Sequence, residues 1–271
     1  MNRRAKLLSS IAPDRQLGLE IGPLASPIIP KSERNRVLYV DHCGTPELIQ
    51  KYKGQVPAGD IAEVDVIWSD GSLQDAVHGK TFDYVIASHV IEHVPDLIGW
   101  LREIGNVLAP GGNLALAIPD KRYTFDIARP LSTVGEVVAA HLAHQAVPSV
   151  KQVYDNYTMA RAVDTTSVWN GLQTCDTVPY LHPRGIARTF VQRVVAGDYV
   201  DCHCWIFTPR SFLDVLRALT SEKYISFGLR HFFDSEEGEN EFIVNLSAHM
   251  ADDASFAIAG ASGETVDNGL R

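Results

Sequence analysis

The chain has 271 residues, of which 45% are hydrophobic and 21% charged, and its formal net charge is −9. This apolar content supports one large α/β domain, or one domain with an insertion, and excludes wholesale disorder. The acidic balance argues against a nucleic-acid partner, because phosphate binding needs a basic surface.

Residues 1–16 carry basic groups but no sustained apolar core, so they read as neither signal peptide nor anchor. No uninterrupted apolar run of membrane-spanning length follows, and no membrane partner is expected. Cysteines at 43, 175, 202 and 204 are scattered. They read as reduced thiols of a cytoplasmic protein rather than as a disulfide framework.

Residues 3–11 suit a short basic-faced helix. An apolar strand over 16–21 then runs into Gly22-Pro23, and Pro27 and Pro30 exclude a long helix in 23–35. A second strand over 36–40 ends on Asp41-His42, and a helix over 46–52 starts with Thr45 as N-cap and Pro46 behind it. A third strand over 64–68 leads into the turn Ser69-Asp70-Gly71. The fourth, 82–87, runs into Ser88-His89. Pro95-Asp96 opens a helix to about Leu108 with apolar residues at helical spacing, Pro110-Gly111-Gly112 ends it, and a fifth strand covers 113–119.

Strand and helix alternate through this half, which predicts a parallel sheet with crossover helices and a ligand edge at the strand carboxyl ends. Residues 121–207 break the pattern, with helices over 133–145, 150–163 and 185–197 and no strand. They read as a helical insertion capping that edge. An amphipathic helix over 208–220 with Thr208 as N-cap returns the chain to the sheet, and runs at 223–233 and 241–248 form an antiparallel hairpin. Residues 250–271 read as a loose tail. The main domain is therefore 1–120 with 208–249.

The runs FDYVIASHVIEHVPD (82–96) and LAPGGNLALAIPD (108–120), with LEIG at 19–22 and YVDH at 39–42, resemble class I S-adenosylmethionine-dependent methyltransferases of small molecules. IPDKRYTFD (118–126) and HCWIFTP (203–209) also look like bacterial methyltransferases of glycan and polysaccharide pathways. The resemblance implies an α/β, doubly wound, seven-stranded, mostly parallel sheet of Rossmann-like type, its last strand antiparallel. It implies S-adenosyl-L-methionine as cofactor. Gly22 and Pro23 would lie near the methionine part with Glu20 beside them. Asp41, followed by His42, would take the ribose hydroxyls; Asp70 and Gly71 would face the adenine; and Ser88 and His89 would sit beside the sulfonium. One carboxylate at a strand tip suits two vicinal hydroxyls, and a glycine lets the backbone approach a ligand. Each acid also has a plain reading as a turn carboxylate.

The expected reaction is O-methylation of a sugar or another small polar metabolite. An alcohol acceptor must lose a proton, so a base is needed, with His89 first, then His203 and Asp120. The family usually has two or three glycines in the first turn, whereas this chain has one. That departure keeps two alternatives open: a cyclase, lyase or isomerase on the same fold, or a non-catalytic partner subunit. A homodimer is compatible with either. The pair His89/His93 and the run Cys202-His203-Cys204 have ligand-like spacing, but neither completes a recognised metal set, and no metal is expected.

Overall fold

The computed structural model describes residues 1–248; the tail expected over 250–271 lies outside the described residues. Helix α1 (Arg3–Leu7) stops short of residue 11 and is capped by Asn2, whose side chain accepts the Ala5 N–H. Strand β1 (Leu17–Ile21) and strand β2 (Arg36–Asp41) follow with no helix between them. The prolines of 23–30 account for that gap.

Helix α2 (Thr45–Lys51) is capped by Gly44 rather than by the expected Thr45, because Thr45 Oγ1 is taken by the Val64 N–H at 2.9 Å. Strand β3 (Val66–Ile67) is short: the Asp65 carboxylate accepts the Tyr39 N–H at 2.6 Å and replaces a ladder bond. A one-turn helix α3 (Leu73–Ala76), capped by Ser72, precedes strand β4 (Phe82–Ser88). Helix α4 (Leu97–Val107) starts at Asp96, whose carboxylate accepts the Gly99 N–H. Strand β5 (Leu108–Pro119) begins earlier than expected. Pro110-Gly111-Gly112 forms an outward bulge within it, so the β4–β5 register jumps from Phe82↔Leu108 to Tyr84↔Asn113. Gly111 has φ +74°, a conformation that favours glycine.

Helices α5 (Val134–Leu142), α6 (Val150–Met159), α7 (Thr165–Trp169) and α8 (Ile186–Val195) occupy the segment before helix α9 (Pro209–Ser221). Strands β6 (Phe227–Phe233) and β7 (Glu241–Ala248) close the sheet. Its order is β3-β2-β1-β4-β5-β7-β6, with β7 antiparallel to both neighbours and β1 through β5 parallel. This is the seven-stranded α/β sheet that the sequence predicts.

Alternation along the central strands separates two cores. Val85, Ala87, Leu114, Leu116 and Ile118 face one way, toward apolar residues of α4 and α9 such as Leu101, Ile104, Phe212 and Leu216. Tyr84, Ile86, Ala115 and Ala117 face the other way, toward Leu7, Ile11, Ile28 and Ile29. The small alanines let α1 and the proline loop lie close to the sheet. Val137 and Ala140 of α5 join the first core, whereas α6 and α8 share a small cluster of Val153, Val194, Val200 and Cys202. Among the described residues no helix is long and apolar enough to cross a membrane.

Candidate active site

The strand order reverses between β1 and β4, so the crevice beyond their carboxyl ends is where an open α/β sheet takes its ligand. Gly22 follows β1 with φ +64° and donates its N–H to Val40 O at 2.9 Å. A β-carbon on Gly22 would lie 3.1 Å from Val90 Cγ2, so the turn sits against the residue that follows His89. Beyond Pro23, the Ser26 N–H bonds Pro23 O and the chain folds back onto the sheet.

Glu20 serves that fold-back. Its buried carboxylate accepts the Ile28 N–H at 2.5 Å and the Ile29 N–H at 3.0 Å. Burial raises its pKa to about 7, against the pull of those two N–H groups. Both oxygens are thus committed to the proline loop rather than to the crevice.

Asp41 ends β2, with Oδ1 accepting from the His42 N–H at 2.8 Å and the His42 ring at 2.6 Å. The His42 ring is half exposed. Asp70 is exposed at the turn after β3, where Gly71 has φ +73° and Gly71 O accepts the Trp68 ring N–H. At the end of β4, Ser88 Oγ accepts from Arg3 Nη2 at 2.6 Å.

His89 follows with φ +54°, strained for a residue with a β-carbon, and is held there by its N–H on Ala117 O. Its Nε2 is 2.7 Å from Glu241 Oε2, and its Nδ1 is 3.5 Å from Glu92 Oε1. His203, more than a hundred positions on, reaches the same carboxylate: its Nε2 is 4.0 Å from Glu92 Oε1 and its Nδ1 is 2.6 Å from Asp126 Oδ2. The backbone brings them together, since the Cys204 and Trp205 N–H groups both point at Glu92 O. Burial opposes the charge on Asp126, but His203 and Arg129 hold its carboxyl below the usual range.

Asp120, the third candidate base, is fully buried. Its oxygens accept from Arg122 at 2.6–3.0 Å and from Ser235 Oγ at 2.8 Å. Both oxygens are thus committed to Arg122 and Ser235, and Asp120 caps the start of the 121–123 turn. Cys202 and Cys204 lie in the apolar clusters, so the Cys-His-Cys run is two packing residues around one site residue.

A family model described as a methyltransferase domain matches residues 28–193. The chain belongs to that family. It is a class I S-adenosylmethionine-dependent methyltransferase, and S-adenosyl-L-methionine is its cofactor. No curated protein matches this methyltransferase. Among solved structures, it is similar to a protein of Listeria monocytogenes described as an S-adenosylmethionine-dependent methyltransferase, at 12% identity over 90% of this chain and 97% of the other, with a TM-score of 0.46. It is also similar to an S-adenosylmethionine-dependent methyltransferase from Mesorhizobium loti, at 13% identity over 89% and 95%, with a TM-score of 0.43. A protein of Rhodobacter sphaeroides described as a Zn-dependent alcohol dehydrogenase gives 16% identity over 90% and 88%, with a TM-score of 0.45.

The strand ends of this methyltransferase fit such a cofactor. The positive-φ glycine leaves the β1 tip without a side chain, and Asp41 Oδ2 takes no hydrogen bond among the described residues. A separate cavity of about 230 Å³, lined by Arg129, Ser132, Gln145, Gln152 and Trp205, contains none of the strand-end residues. Sequence reasoning missed Arg3, Glu92, Asp126 and Glu241 as site residues. Glu241 opens a strand and Asp126 ends the quoted run IPDKRYTFD, but only the fold shows that each meets a histidine.

Proposed function

We propose that this methyltransferase methylates a hydroxyl of a small polar molecule of the sugar or sugar-containing class, with His89 as the base. The carrying observation is the setting of His89 at the tip of β4. Glu241 fixes Nε2 as the N–H, which leaves the Nδ1 lone pair to take a proton, and the ring is 36% exposed and open to an acceptor. The neighbouring Val90 touches the Gly22 turn, so base and cofactor turn adjoin.

When bound, S-adenosylmethionine supplies an electrophilic methyl group on its sulfonium. Gly22, Pro23 and Ser88 would line the methionine side. Asp41 would accept the ribose hydroxyls, with the His42 ring turning aside, and Asp70-Gly71 would border the adenine. Glu20 acts one step back by holding the loop that follows Pro23. Residues 121–207 would cap the crevice and carry acceptor contacts, and a cytoplasmic enzyme, as a monomer or homodimer, suits this chemistry. Holding acceptor and methyl donor in line accounts for much of the acceleration expected, and proton removal for a further factor of about 10²–10⁴.

Titration calorimetry with S-adenosylmethionine and S-adenosylhomocysteine, followed by mass spectrometry of a sugar and polyol panel, tests the reading. A product heavier by one methylene group is expected, and His89→Ala should remove it while leaving cofactor affinity intact. Cofactor binding with no product from any hydroxyl acceptor would overturn the O-methylation reading.

A further inference from the structure

Three ring nitrogens and a carboxylate meet where the proposed acceptor would lie. Glu92 is 1% exposed, yet among the described residues neither of its carboxylate oxygens has a hydrogen-bond partner. A carboxylate stripped of water with no donor is disfavoured, so a fold that retains one normally supplies a partner or counter-charge. The groups facing it are His93 Nε2 at 3.9 Å and His203 Nε2 at 4.0 Å from Oε1, both beyond hydrogen-bond reach. His89 Nδ1, at 3.5 Å, borders the same oxygen.

The tautomers make the gap more telling. His203 Nδ1 donates to Asp126 Oδ2 at 2.6 Å, and His93 Nδ1 donates to Asp201 Oδ1 at 2.9 Å. In the neutral rings both Nε2 atoms therefore present lone pairs. Two lone pairs and a carboxylate oxygen then face one another, an arrangement that calls for a positive charge among them, which a bound cation supplies. Asp126 is itself anchored by Arg129 Nη1 at 2.7 Å, so the His203 ring is locked by a buried chain of bonds.

We propose that Glu92, His93 and His203 bind a divalent transition-metal ion of the zinc class. One ligand atom from each of the three lies within 4.8 Å of the others. Around an ion with bonds of about 2.0–2.1 Å, tetrahedral ligands stand about 3.3 Å apart, so closing inward by roughly half an ångström completes the set. Two histidines and one glutamate are a catalytic-type zinc set with a fourth position for water or substrate. Each histidine also carries the carboxylate partner that orients metal-ligating imidazoles. On the reading of His89 as the base, which this role alone requires, the fourth position would take the acceptor oxygen. The ion would then lower the hydroxyl pKa while His89 takes the proton. The methyl group passes from sulfur to oxygen, and sulfur keeps the electron pair of the broken bond. Binding of the ion itself does not depend on that reading.

The test uses the full chain, stripped with a chelator and titrated with zinc by calorimetry and with cobalt by visible absorption. One ion per chain and a cobalt spectrum of low coordination number are expected. Glu92→Gln and His203→Gln should abolish both signals, and Asp126→Asn should weaken affinity by about 10–100-fold. His182→Gln, which alters a histidine outside the cluster, should change nothing. Circular dichroism checks that each variant is folded; if a ligand variant is not, the Asp126→Asn titration decides. No binding by the wild-type chain, or undiminished binding by folded Glu92→Gln and Asp126→Asn, would overturn the site. Cofactor calorimetry on the stripped protein separates this outcome from failure of the methyl-transfer reading.

Discussion

Arg3 and Glu241, 238 positions apart, form a two-point ion pair: Arg3 Nε lies 2.6 Å from Oε1 and Nη2 lies 3.0 Å from Oε2. The pair ties the first helix to the last strand at the carboxyl edge of the sheet, and the same carboxylate receives His89 Nε2. Burial opposes the charge on Glu241, but His89 and Arg3 hold its carboxyl below the usual range. The N-terminal segment thus acts on the candidate base through a residue near the other end of the described chain.

Glu241→Gln should separate orientation from packing. The substitution keeps the volume but removes the charge that the Arg3 guanidinium and the His89 N–H both face, so we expect about 1–3 kcal/mol of lost stability. The turnover number should fall by about 10–100-fold while cofactor Kd changes little, because His89 is free to rotate or change tautomer. Steady-state kinetics with parallel calorimetry reads both. An unchanged turnover number would show that Glu241 does not position His89.

Asp41→Ala should weaken S-adenosylmethionine binding by at least about tenfold, since a hydrogen bond to a charged acceptor contributes about 1.5–3 kcal/mol. His42→Ala should do the reverse or nothing, because it frees Asp41 Oδ1. Calorimetry on both variants checks the pair. Equal affinity in Asp41→Ala would move the ribose away from the β2 tip.

Gly18 is a steric requirement of the sheet. It pairs with Tyr84 on β4, and a β-carbon at Gly18 would lie 1.9 Å from Tyr84 Cζ, inside the ring. Tyr84 is fully buried beneath the proline loop. Gly18→Ala should therefore destabilise the protein by about 1–3 kcal/mol or more through overpacking. Adding Tyr84→Leu should recover part of the loss. A double-mutant cycle by urea denaturation measures the coupling; simple additivity would mean that the ring does not lie over Gly18.

The sheet was legible because apolar runs, turn residues and caps agree in its elements, as with Asp96 opening α4 and Thr208 opening α9. Boundaries slipped where a side chain took over a backbone bond: Asp65 shortened β3, Thr45 lost its cap to Val64, and the Pro110–Gly112 bulge lies inside β5. The candidate site was legible only in pieces. His89 and His203 stood as separate candidates and the His89/His93 pair completed no recognised metal set; only the fold carries His203 to Glu92. Asp120 stood at the right strand end, but Arg122, two residues on, neutralises it.

Glu20 gives a pH signature that belongs to the fold. Its carboxyl has an ordinary value near 4.5 and about 7 in the folded chain, raised by burial. Below about pH 4.5 the group is protonated in both states and the folded chain keeps its full contribution. Between about 4.5 and 7 the unfolded chain has released its proton while the folded chain retains it, so stability falls as pH rises. Above about 7 both states are charged and the loss is complete, on the order of 3 kcal/mol. Glu20→Gln removes this dependence whatever fixed cost it adds at the Ile28 and Ile29 N–H groups. The stability of the wild type relative to Glu20→Gln should therefore decline between pH 4.5 and 7 and then level. Urea denaturation of both proteins at half-unit pH steps reads the difference directly, and a difference that stays flat or rises would show that the loop N–H groups, not burial, govern this carboxyl.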